Sequence, residues 1–152
     1  MTHFYDRSGI RFAYPENWTI SEDDPHEVPR TVTVQSPSGA FWSLDIHPFS
    51  VTPDELLGQV LATLQGEYPT IDSELAQDFV QHTELHGYDV SFYCLDFLVS
   101  ARIRSWRKGH ATYLVTYQAE DRDFDELEPV FRAMLHTLLD EHSASSIDRN
   151  DD

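Results

Sequence analysis

The sequence predicts an α+β domain, an antiparallel sheet with two main helices on one of its faces. Three observations carry this. His86 to Ala119 is a run of β-branched and ring residues (Val90, Phe92, Cys94, Leu98, Ile103, Tyr113, Val115, Tyr117), largely at period two and cut by short turns. Thr52 to Pro69 and Asp123 to Leu139 each carry apolar residues at helical spacing on one side only. The chain has 152 residues, 40% of them hydrophobic, which suits one domain with one core.

Taken in order, Phe4 to Asp6 and Ile10 to Tyr14 flank Arg7-Ser8-Gly9, the turn chemistry of a short β-hairpin. Pro15 can open a single helical turn, and Trp18 offers a large apolar plate to anchor it on the core. Thr19 and Ile20 resume an extended path. Ser21 to Arg30 is a charged, proline-broken loop, and Thr31 to Gln35 alternates as a strand. After the turn Ser36-Pro37-Ser38-Gly39, Trp42, Leu44 and Ile46 alternate with Ser43, Asp45 and His47 to complete a second hairpin.

Thr52-Pro53-Asp54-Glu55 supplies an N-cap, a proline at the first helical position and a capping-box glutamate. Leu56, Leu57, Val60, Leu61, Leu64 and Tyr68 line one face of the helix that follows, and Pro69 ends it. Ile71 to Val80 fits neither period well and reads as an extended edge strand. The first central strand is expected to reach about Leu98, with a turn near Val99-Ser100, a partner strand Ala101 to Arg107, and a hairpin turn at Lys108-Gly109. Asp123 is placed as the cap of the last helix, with Glu126 three residues on. A single domain is expected over residues 1–140, and the polar stretch from Glu141 to Asp152 reads as a disordered acidic tail.

The order of elements, and above all Ser8-Gly9-Ile10-Arg11-Phe12-Ala13-Tyr14-Pro15-Glu16-Asn17-Trp18, resembles the opening of Mog/PsbP-like proteins, a glycine and alternating hydrophobics ahead of Tyr-Pro and a tryptophan. The resemblance covers the chain to about Leu139. It implies an antiparallel sheet with helices on one face and the N-terminal hairpin partly covering the other. It also implies a mostly non-catalytic setting, since such proteins include the PsbP subunit of photosystem II, Mog-type proteins that bind the GTPase Ran, and bacterial chaperones of secreted effectors. The N-terminus has neither the basic region nor the apolar run of a leader, so a PsbP-type role is not the expectation. No binding residue carries over.

Charge limits the partners. Twenty-seven acidic against 10 basic residues give a formal charge of −17, which opposes nucleic acid and anionic lipid. Acidity of this kind reads first as solubility, of the sort that suits a salty habitat, and second as an acidic docking surface; Lys108 is the sole lysine. The single cysteine, Cys94, lies in an apolar strand and reads as a small hydrophobe. No stretch approaches a membrane span, and the expected location is the cytoplasm.

Arg102, Arg104, Arg107 and Lys108 are four of the 10 basic residues in one strand and its turn. Arg102, Arg104 and Trp106 share a parity opposite to Ile103, so they project from one face. With Tyr93, Leu95 and Phe97 on one side and Leu114, Thr116 and Gln118 on the other, they form a candidate binding surface, of which Tyr93, Arg102, Arg104 and Trp106 are the core. The plainer alternative is that the hairpin covers this face and the arginines pair with Asp45, Asp89 or Asp96, of which Asp96 otherwise marks a bulge.

The function that follows is a non-enzymatic protein-interaction or adaptor module, partnered by another protein. The competing reading is a small-ligand or lipid-type site between sheet and hairpin, lined by Tyr14, Trp42, Phe92 and Phe97. No cofactor is expected. His82, Glu84, His86 and Asp89 are the densest metal-type group, but Gly87 and the strand after it disfavour the helix on which the histidines could chelate. Asp45 and His47 share a strand face yet lack the surrounding motif that an acid/base pair needs.

Overall fold

The computed structural model describes residues 1–24 and 26–140, so the expected acidic tail lies outside the described residues. Strands β1 (Thr2–Arg7) and β2 (Ile10–Pro15) make the N-terminal hairpin as a two-stranded sheet of their own. Its turn residues Ser8 and Gly9 both adopt positive φ, as a two-residue hairpin loop requires. Pro15 accepts a 3.0 Å hydrogen bond from the Trp18 amide, and this turn drops Trp18 into the core.

The main sheet contains β3 (Thr19–Glu22), β4 (Arg30–Gln35), β5 (Phe41–Pro48), β6 (Asp72–Val80), β7 (Thr83–Cys94), β8 (Phe97–Lys108) and β9 (Ala111–Glu120). Their order is β3-β4-β5-β9-β8-β7-β6, every neighbour antiparallel. Helix α1 (Pro53–Glu67) joins β5 to β6, and α2 (Asp121–Leu138) follows β9. The α1 start is built as its residues dictate, with the Thr52 hydroxyl accepting from the Glu55 amide at 3.1 Å and Pro53 in the first turn.

Register divides the side chains between two cores. On one face Arg102 pairs with Tyr117, Arg104 with Val115 and Trp106 with Tyr113, and across β9 Tyr117 and Val115 pair with Trp42 and Leu44. This face packs against Phe12 of the hairpin and Phe124, Phe131, Met134 and Leu135 of α2. On the other, Val90, Phe92, Val99, Ala101, Ile103 and Leu114 pack against Leu56 and Leu57 of α1. The helices therefore lie on opposite faces, and the hairpin shares the α2 face, where the Ala13 amide donates to the Thr137 hydroxyl at 2.9 Å. The placement of both helices together and the hairpin opposite is thus corrected. One apolar stripe obliges each helix to find a sheet face but does not say which, and the central strands are apolar at both parities.

Two boundaries also move. The β7–β8 turn is Leu95-Asp96, both at positive φ, instead of Val99-Ser100, so β7 ends at Cys94 and not near Leu98, while β8 starts at Phe97 and is longer than expected. Asp96 is an exposed turn residue and neither a buried carboxylate nor a bulge. Helix α2 begins at Asp121, two residues ahead of Asp123, with Glu120 as an N-cap that makes no side-chain cap bond. Asp121 and Asp123 instead place negative charge in the first turn, where it favours the helix dipole. Ile71 to Val80 does form an edge strand, and Gln81-His82 turns it into β7.

Candidate interaction surface

Of the four residues expected to form a surface, the structure buries two. Arg104 and Trp106 are each 3% exposed, beneath the layer made by α2 and the hairpin. Trp106 stacks on Tyr113 with centroids 5.4 Å apart. The Arg104 guanidinium is saturated from several sides. Its Nε donates to Asp78 Oδ2 at 2.6 Å, Nη2 to Asp89 Oδ1 at 2.7 Å, and Nη1 to the Tyr88 and Ile103 carbonyls at 3.1 Å each. A buried charge is tolerated only when held in this way. Burial alone raises the Asp78 carboxyl pKa, but the hydrogen bond from Arg104 and the charges of Arg104 and Arg132 outweigh it and hold the group below the usual carboxylate range.

Arg102 is half-buried at the rim of the same network. It lies 3.4 Å from Asp89 and 3.5 Å from Glu128, with its guanidinium carbon 4.5 Å from the Phe124 ring centre. Arg107 is drawn off to the loop before α1, donating to the Phe49 carbonyl at 2.6 Å and lying over that ring. The parity of the arginines and tryptophan is as expected, and Arg104 and Trp106 are held inside the fold by these contacts, as the plainer alternative has it. Asp89 is one of the partners foreseen. Asp78 was not, because its strand had no clear period.

Leu114, Thr116 and Gln118 belong to the opposite face, paired with Ser105, Ile103 and Ala101. Tyr93, the remaining predicted residue, is exposed and lies at the tip of the β7–β8 hairpin, paired with Leu98. Beside it Leu95 is 88% exposed at φ 50°, and Phe97 also faces solvent. A leucine in the left-handed region costs about 1 kcal/mol, and this one recovers nothing by burial. Two further large apolar side chains, Leu75 and Phe79, are exposed on the edge strand β6.

The four residues of the alternative ligand site are not brought together. Trp42 packs on Phe12 on the α2 face, at 4.7 Å between centroids, while Phe92 stacks on Tyr68 on the α1 face at 4.2 Å. Tyr14 stays on the hairpin and Phe97 at the opposite tip. His82 lies in the turn after β6 and His86 on β7, and among the described residues no three metal-ligating side chains converge. Asp45 and His47 do share a strand face. The Thr31 hydroxyl donates to Asp45 at 2.9 Å, and burial pushes the Asp45 carboxyl pKa up.

No protein-family model matches the chain, and no curated protein matches it. Solved structures do. The cyanobacterial PsbP (CyanoP) of Synechocystis sp. PCC 6803 superposes with a TM-score of 0.61 at 11% identity, over 90% of both chains. A Pseudomonas aeruginosa protein described as a putative regulator gives 0.53 at 11% identity, over 90% of this chain and 95% of that one. A Bacteroides thetaiotaomicron structure gives 0.56 at 12% identity, over 88% of this chain but 46% of the other. The chain therefore has the PsbP-like fold that its opening motif suggested, and likeness at this identity is likeness of fold. No helix among the described residues is long and apolar enough to cross a membrane.

Proposed function

We propose that this chain is a non-enzymatic protein-interaction module of adaptor type, working in the cytoplasm and docking a partner protein through the tip of its β7–β8 hairpin. The observation that carries this is Leu95, apolar, 88% exposed and at positive φ where Asn or Gly would sit without strain. Folding alone does not favour that residue there. Tyr93 and Phe97 flank it on opposite faces of the hairpin, so the tip presents an exposed ring on either side of the leucine. Aromatic residues supply much of the energy of protein interfaces, and a projecting tip can enter a partner's groove. A charge of −17 sets the partner's preferred chemistry as neutral or basic and disfavours nucleic acid.

Affinity capture comparing the wild type with Tyr93→Ser/Leu95→Asn/Phe97→Ser tests this. The expected result is loss of specific partners with the fold intact by circular dichroism. An unchanged partner set removes the tip as the docking element.

A further inference from the structure

Strand β6 closes the sheet on one side, and among the described residues nothing pairs with its outer edge. It is nine residues long, whereas β3 at the opposite edge has four. Its register sets what that edge presents. Val80 pairs with Thr83 across the two-residue turn Gln81-His82, so those two exchange backbone hydrogen bonds. Pairing runs without a bulge to Asp72↔Ser91, so even-numbered β6 residues bond β7. The N–H and C=O groups of Ser73, Leu75, Gln77 and Phe79 therefore point outward, and all four residues are exposed.

The two faces beside this edge differ in chemistry. Odd residues place Leu75, 84% exposed, and Phe79, 71% exposed, on the α1 face. There Leu75 borders a groove of ≈ 740 Å³ between β6, β7 and the start of α1. Even residues place Asp72 and Glu74 on the α2 face, bordering a groove of ≈ 430 Å³ lined also by Asp89 and Asp121, with Arg102 the sole cation in its lining. Among the described residues neither Asp72 nor Glu74 makes an ion pair, whereas Asp89 and Asp121 are bound to Arg104 and Ser100.

We propose that the outer edge of β6 receives an extended segment of another protein, alternating basic and apolar residues, added as a further strand of the seven-stranded sheet. This rests on the protein-interaction reading but uses a surface separate from the hairpin tip. Backbone bonds to Ser73, Leu75, Gln77 and Phe79 supply affinity. Period two then sends apolar side chains to Leu75 and Phe79 and basic ones to Asp72 and Glu74. Charge complementarity selects this occupant over a second copy of the chain. Two β6 strands paired with each other would set Asp72, Glu74 and Asp78 against the same acids, on chains each carrying −17.

The probe is a labelled nine-residue peptide alternating lysine and valine, matched to the length of β6 and followed by fluorescence anisotropy. Gln77→Pro removes one outward N–H and leaves the β7 ladder intact, as proline permits on an edge strand. It is expected to weaken binding by up to about tenfold, the effect of losing one backbone hydrogen bond to the added strand. Asp72→Lys/Glu74→Lys, at exposed positions, should weaken binding and flatten its salt dependence. A peptide of the same composition with its lysines in one block should not bind.

The proposal is overturned if the wild type fails to bind the alternating peptide, if the block peptide binds equally well, or if neither variant alters affinity. A dimer in sedimentation that Gln77→Pro abolishes would assign the edge to a second copy and overturn it too. Leu95→Asn should leave peptide affinity unchanged. Partner capture lost with the tip variants but insensitive to Gln77→Pro would reject the edge and keep the tip.

Discussion

Gly87 lies against the backbone of Ile103 so closely that a Cβ built on it would stand 1.7 Å from the Ile103 carbonyl oxygen and 3.1 Å from the Arg104 Cα. Strand β7 can therefore meet β8 here only without a side chain, at the register position where Gly87 pairs with Arg104. The obstacle is backbone on both sides, so no rotamer change relieves it. Gly87→Ala is expected to cost about 3 kcal/mol or more, at or above the upper end for overpacking. Gly58, exposed in α1 with nothing within 4 Å of its built Cβ, is the control. Gly58→Ala should stabilise by about 0.5–1 kcal/mol through helix propensity. Urea denaturation of the two variants checks the contrast; equal effects would dismiss the close approach as a determinant.

The same strand pair holds the buried charge network, which makes stability depend on pH. Asp78 has a folded pKa below its unfolded value because Arg104 and Arg132 more than offset its burial. Its contribution is thus present above the unfolded carboxylate pKa, about 3.9, and is lost as pH falls through the folded value. The wild type should lose stability more steeply than Asp78→Asn on acidification below about pH 5. Arg104→Leu is expected to cost about 3 kcal/mol at neutral pH, because Asp78 and Asp89 then lose the buried cation they share and keep only the more exposed Arg132 and Arg102. Denaturation midpoints between neutrality and strong acid measure both; parallel curves for wild type and Asp78→Asn would contradict the network.

Asp45 works in the opposite direction. Burial raises its carboxyl pKa and the Thr31 hydroxyl only partly compensates, so the folded state binds the proton more tightly than the unfolded one. Stability from this group is present below the unfolded pKa and is lost as pH rises through the folded value. Asp45→Asn keeps an acceptor for Thr31 and removes the charge. It should raise the thermal midpoint at neutral pH and make no difference in strong acid. A lower midpoint at neutral pH would mean that the carboxylate is stabilised by a partner.

The contrast between Asp78 and Asp45 shows what could be read from the residues alone. Strands with clear alternation, such as Thr31 to Gln35 and Trp42 to Ile46, and the Thr52 cap all took the predicted form. The parity of Arg102, Arg104 and Trp106 was also correct. What alternation could not supply was the identity of the layer above each face. Both faces of β8 and β9 are apolar, and only long-range packing assigned α2 to the arginines. Asp78 escaped because Ile71 to Val80 lacks a period, being half-solvated on both faces. Leu95-Asp96 escaped because turn prediction looks for Gly and Asn at positive φ, and here neither is present.

Tyr117 is fully buried between Phe124 and Phe131, and its hydroxyl has no hydrogen-bond partner among the described residues. A phenol without a partner keeps its desolvation cost, and burial pushes its pKa up. Tyr117→Phe removes the polar atom and keeps the ring contacts. It should therefore stabilise the fold by up to about 1 kcal/mol. A loss of similar size in thermal or chemical denaturation would show that the hydroxyl is bonded in solution.

Leu95 gives the last prediction, because its structural and functional consequences should diverge. The residue is exposed and left-handed, so Leu95→Asn relieves backbone strain without removing a core contact. A gain of about 0.5–1 kcal/mol is expected, visible as a rise in thermal midpoint. If the leucine is retained for docking, partner capture should fall in the same variant even as stability rises. Destabilisation would instead make Leu95 a folding residue and take away the observation on which the tip reading stands. A stabilised variant with unchanged capture would leave the β6 edge, whose Leu75 and Phe79 do not depend on the turn, as the surface through which this domain meets its partner.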